Sequence, residues 1–206
     1  FEGYAYRLVP IKTTYTDLWN AGRIDTDLLY HNLMEVYRYG NVADPRVYVD
    51  TFVNYNFNAT NIRIAFARLG AELARRGEKE KAVEVLDYGL EQMPVSQFQY
   101  TYQYLPYIRA YYEARATEKG DALFDSYAKN LEEYVDYFLS FPDNRQYLIE
   151  NQFADKLTAL AELHRIAENY GRTDRAARIL NLFDWLFGPE GQTDYTEYEQ
   201  TVLPTE

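Results

Sequence analysis

The stretch from Asn61 to Pro94 constrains the fold more than any other part of the chain. Apolar residues fall at Ile62, Ile64, Phe66, Leu69 and Leu73, and again at Val83, Leu86 and Leu90. Both sets follow the spacing of a single helix face. Between them lies Arg75-Arg76-Gly77-Glu78-Lys79, where Gly77 suits the left-handed position that ends a helix. Gly70 and Ala82 then fall on facing helices, and two helices approach closely only where the side chains between them are small. The segment predicts a helical hairpin.

These residues resemble the tetratricopeptide unit. Phe66-x2-Leu69-Gly70-x2-Leu73, Ala82-x3-Leu86 and Pro94 stand where that signature has W-x2-L-G-x2-Y, A-x3-F and P. A weaker copy has Tyr104, Tyr107 and Tyr111, then Gly120-x3-Phe124. Another has Leu160-x2-Leu163-His164-x2-Ala167, Gly171 and Ala176-x3-Leu180. The small residues at 82, 120 and 176 are unevenly spaced, so the units are irregular. The second helix of the middle pair is expected to run long, towards Phe141-Pro142. The expected fold is therefore all-α: three irregular tetratricopeptide-like hairpins over 61–189, stacked as a short right-handed superhelix. An N-terminal segment over 1–60 would pack on them, and 190–206 reads as a polar tail. Within 1–60, Tyr6 to Pro10 reads as extended, because a proline disfavours a helical residue before it. Asp25-Thr26-Asp27 opens a helix expected to reach Tyr39, with Gly40 as its stop. Asp44-Pro45 starts a turn, and Tyr48 to Asn58 fits no single pattern.

Charge narrows the function. Twenty-one Lys and Arg face 32 Asp and Glu, a net −11. Nucleic-acid binding draws on clustered cations, so no nucleic-acid partner is expected. Adhesion to an anionic membrane surface is disfavoured for the same reason. Without cysteine the chain has no disulfide, thiolate nucleophile or cysteinyl metal site. No apolar run approaches the roughly 18 residues of a spanning helix. With Phe1 at its start and no leader, the chain reads as a piece of a longer protein. Twenty-two tyrosines supply rings with a polar tip, suited to half-wet surfaces as well as cores.

A second resemblance is carried by local runs. They are Tyr6-Arg7-Leu8-Val9-Pro10-Ile11, Gly22-Arg23-Ile24-Asp25-Thr26-Asp27 and Tyr30-His31-Asn32-Leu33-Met34. Tyr39-Gly40-Asn41, Asp44-Pro45-Arg46-Val47-Tyr48-Val49-Asp50 and Phe66-Ala67-Arg68-Leu69 continue the order. The chain is similar to the C-terminal region of bacterial multi-pass membrane proteins of the protein O-mannosyltransferase-like family. The resemblance covers about residues 1 to 140 well and the remainder loosely. It implies a non-catalytic periplasmic appendage, since glycosyl transfer in that family is expected in the membrane part. No catalytic residue carries over.

Candidate chemistry is sparse. Asp25-Thr26-Asp27 spells the D-x-D pattern by which many glycosyltransferases hold a metal and a sugar nucleotide. It reads more simply as a helix cap with an acid in the first turn. Direct sugar transfer or hydrolysis through Asp25 and Asp27 is the alternative reading, and an assembly domain is another. Asp27, His31 and Glu35 recur at steps of four and could offer a divalent ion an O, N, O set. Ion pairing along the helix explains that spacing equally. His164 and Glu168 form a similar pair. H-E-x-x-H, G-x-S-x-G and phosphate-loop patterns do not occur, so no catalytic residue, metal or cofactor is assigned.

The favoured reading is a recognition module. In tetratricopeptide stacks the first helix of each pair lines the concave side. Carried across residue by residue, that resemblance places Arg75, Tyr102, Arg109, Tyr112 and Arg165 in one groove. Arginine forks suit carboxylates, and tyrosines supply stiff amphipathic contact area. The expected partner is a polypeptide or a glycan, with the membrane part of the parent chain as a further candidate.

Overall fold

The computed structural model describes residue 2, residues 22–50, residue 52, and residues 59–146 and 148–188. The extended reading of Tyr6 to Pro10 and the polar tail over 190–206 lie outside them, as does most of Tyr48 to Asn58. Among the described residues every regular element is helical and none is a strand. The elements are α1 (Thr26–His31), α2 (Thr60–Arg75), α3 (Lys79–Gln92), α4 (Tyr104–Glu113), α5 (Thr117–Leu139), α6 (Asp143–Gln146), α7 (Glu150–Asn169) and α8 (Thr173–Phe187). None of them is long and apolar enough to cross a membrane. The chain divides into two compact units, 1–121 and 122–206, with the division falling inside α5.

In the first unit α2 packs against α3 and α4, and α1 rests on α2. The predicted apolar stripe of α2 is the core: Phe66, Leu69 and Leu73 are fully buried. Each such side chain contributes about 1.5–3 kcal/mol when removed from water. Gly70 is where α3 approaches: a Cβ there would stand 2.7 Å from Leu86 Cγ. Gly89 serves the opposite end of α3, because a Cβ there would meet Phe66 Cγ at 2.8 Å. In the second unit α7 packs on α8. The 122–139 part of α5 joins them through Phe138, whose ring stacks on Phe153 at 3.7 Å.

Three helix ends close with the same turn. Gly77, Arg115 and Gly171 all take positive φ, at 89°, 61° and 66°. Each donates its N–H three residues back, to Ala74, Tyr112 and Glu168. The next residue in each turn donates five residues back: Glu78 to Leu73, Ala116 to Tyr111, Arg172 to Ala167. This paired pattern satisfies the carbonyls a helix end leaves orphaned. In every case a buried small residue follows five positions later: Ala82, Gly120, Ala176. The second helix of the middle pair does run long, through Leu139.

The N-terminal helix departs from expectation. α1 ends at His31, and Asn32–Val36 continues as a wider π-turn that stops well short of Tyr39. The stop is local. The Tyr37 N–H bonds Asn32 O at 2.8 Å, and Tyr37 itself is already extended at ψ 145°. Tyr39 then folds back, its hydroxyl donating to Leu33 O at 2.7 Å. Gly40, at φ 64°, belongs to the following turn rather than to a helix end.

Candidate functional site

The acidic pattern at the start of α1 is a helix cap. Asp25 Oδ1 accepts the Leu28 N–H at 3.1 Å, and Asp27 is exposed in the first turn. Thr26 between them is buried. His31 Nδ1 lies 2.7 Å from Glu35 Oε2 on the exposed side, the i, i+4 pair the spacing offers. His164 is partly buried and 3.7 Å from Glu168. Among the described residues no group of three His, Cys, Asp or Glu could hold a metal ion.

Of the five groove residues, Arg75, Tyr102, Arg109 and Tyr112 belong to the first unit, and Arg165 to the second. Arg75 ends α2 and forks onto Glu72, with Nε–Oε2 3.0 Å and Nη2–Oε1 2.7 Å. Arg76 Nε reaches the same carboxylate at 2.9 Å. Burial pushes the Glu72 pKa up, but the hydrogen bonds from Arg75 and Arg76 outweigh it, and the net shift is downward. Arg165 repeats the arrangement on α7, forking onto Glu162 at 2.8 and 2.6 Å. Each arginine therefore has a carboxylate of its own helix, while its outer face stays in solvent.

Tyr112 is a packing residue. It is buried, its ring lies over Gly120, and its hydroxyl donates to Asp121 Oδ1 at 2.9 Å. A Cβ on Gly120 would stand 2.7 Å from that ring, so the small residue and the tyrosine are a matched pair. Tyr102, just before α4, and Arg109, on α4, are both half-buried.

The most unusual polar group is one the sequence pattern hides. Arg63 lies in the apolar stripe of α2 and is 2% exposed. Its Nη2 donates to Phe98 O at 2.9 Å and Met93 O at 3.2 Å, and Nη1 to Gln99 O at 3.4 Å. The guanidinium centre lies 4.7 Å from the Tyr104 ring and 5.4 Å from the Phe98 ring. A buried cation is tolerated when hydrogen bonds and ring faces replace its water. Arg63 thereby fixes the connection from α3 to α4. Beside it Tyr107 is fully buried, and burial pushes its hydroxyl far above the ordinary tyrosine range. Gln97 extends the same connection outward: its amide donates to Asp44 O and Val47 O, both at 2.9 Å. Arg68, also buried, reaches Gly22 O at 2.8 Å and ties the N-terminal segment to α2. A lone arginine among Ile62, Ile64 and Phe66 was the available signal, but a charged residue in a helix reads by default as solvent-facing.

No protein-family model, no curated protein and no solved structure matches the chain.

Proposed function

We propose that the chain is a non-catalytic, tetratricopeptide-like recognition module that holds a polypeptide. The observation that carries this reading is the recurrence of one turn at Gly77, Arg115 and Gly171, each followed by a buried small residue. The cap itself is a common helix ending, but its recurrence with a buried small residue at the same offset is what a repeated hairpin unit would give. The capping role of Asp25 weighs against sugar chemistry at Asp25 and Asp27. The resemblance to the O-mannosyltransferase-like family makes the module a periplasmic appendage of a membrane glycosyltransferase-like protein, and a glycan is the second ligand class.

In the first unit the reading assigns recognition to Arg75, Tyr102 and Arg109, with Arg75 already forked onto Glu72. An acidic extended peptide is the chemistry they suit. Panning a displayed random-peptide library on the intact chain tests this. Peptides enriched in Asp and Glu are expected, with affinity lowered about tenfold by Arg109→Glu. Selected peptides that lack acids, or that bind the variant equally well, would remove the groove.

A further inference from the structure

The end of α5 and the segment just beyond it carry an aromatic ridge. Tyr134 and Tyr137 meet edge to face, centroids 6.0 Å apart, and Tyr137 meets Phe141 in the same way at 5.0 Å. Tyr137 is 52% exposed, whereas most large aromatic side chains among the described residues are covered. The ridge already holds one cation. Lys156 of α7 sets its Nζ 5.3 Å from the centroid of the Tyr134 ring. The Tyr134 hydroxyl is held by Gln152 at 3.0 Å, which fixes that ring. Burial lowers the Lys156 pKa, partly offset by the Asp155 charge. Ring faces attract cations through their negative π density. Among the described residues no Lys or Arg covers Tyr137 in the same way.

Exposed carboxylates are its neighbours along the helix. Glu133 lies one helical turn before Tyr137, Asp136 is next to it, and both are exposed. Glu133 is only loosely engaged, 3.7 Å from an equally exposed Lys129. We propose that Tyr137, with Glu133 and Asp136, receives an arginine side chain of another polypeptide. A guanidinium can lie flat on the ring and fork onto a carboxylate at once, which the point charge of a lysine does less well. Charge selects against the other occupants. Residues 189–206 of the chain carry five carboxylates and neither Lys nor Arg. A second copy brings a net −11.

This inference is independent of the groove on the first unit. It is tested with the full chain and a ten-residue peptide alternating Gly and Arg, followed by NMR of the aromatic ring protons. Saturable shifts at Tyr137 and Phe141 are expected, and they vanish when citrulline replaces arginine. Tyr137→Leu keeps every charge and should weaken binding about tenfold. Glu133→Gln with Asp136→Asn, both at exposed positions, should weaken it similarly. If Tyr137→Leu binds the peptide as well as the native chain, the attraction belongs to the overall negative charge and the proposal fails. A lysine peptide that binds as tightly would overturn the arginine preference.

Discussion

In the first unit Arg63 is sealed among neutral oxygens and ring faces, whereas in the second Arg175 and Arg178 lie partly exposed on carboxylates. Arg175 forks onto Asp125 at 2.9 and 2.6 Å, and Arg178 onto Glu132 at 2.7 Å through both nitrogens. Both arrangements bridge elements, but their physics differs. Backbone carbonyls do not titrate and buried contacts are screened little by salt, so Arg63 acts as a fixed internal post. The two outer forks are worth less per bond, because solvent and salt compete for both partners. The first unit thus holds a buried polar post, while the second carries its bridging arginines at the surface.

Replacing the buried cation is the sharpest way to break this contrast. Arg63→Leu removes the guanidinium donor from the carbonyls of Met93 and Phe98, both of them buried residues. Unsatisfied buried groups cost about 1–3 kcal/mol each. A loss of about 3 kcal/mol is expected, read from the urea midpoint. Hydrogen exchange should locate the loosening between Met93 and Tyr104. A loss below about 1 kcal/mol would mean that apolar packing, not the guanidinium, holds the connection.

The outer forks should give a smaller and salt-dependent response. Arg175→Gln together with Arg178→Gln removes both bridges from α8 to α5, at a cost of about 1 kcal/mol. In 1 M salt the native chain should already have lost most of that difference, since screening length falls to about 3 Å. The deficit of Arg63→Leu should persist in the same salt. Urea unfolding at low and high salt, with exchange protection followed in α8, separates the two. A salt-independent deficit for the double variant would show that the forks act through packing of the arginine stems.

What the sequence revealed follows the same division between packing and polar contacts. The α2–α3 hairpin was legible because Gly70, Gly77 and Ala82 are residues whose size or φ has one structural meaning. The middle turn was faint for a physical reason: Arg115 takes the left-handed conformation there without a glycine to announce it. The end of α1 was misplaced because Leu33, Met34 and Tyr37 keep helical spacing while the backbone widens and then extends. The local arginine–glutamate forks follow from i, i+3 spacing at Arg75 and Arg165, whereas Tyr112 was assigned to a surface and belongs to the interior. Arg63 was invisible for a deeper reason. Its partners are backbone carbonyls from 30 to 36 residues away, and no side-chain pattern records a carbonyl.

Glu72 joins the two regimes, since it lies in the first unit but works like the forks of the second. Its side chain is 19% exposed, its carboxylate serves Arg75 and Arg76 together, and its folded pKa is below the ordinary value. A depressed carboxyl pKa contributes stability that is complete above the unfolded value and disappears as pH falls through the folded one. Glu72→Gln should therefore cost about 0.5 kcal/mol at neutral pH and nothing once acid has protonated the native carboxylate. Arg63→Leu should retain its deficit across the same range, because none of its oxygen partners titrates. Urea midpoints of the three chains at successive pH values decide it. A Glu72→Gln deficit that stays constant into acid would mean the side chain contributes by shape alone.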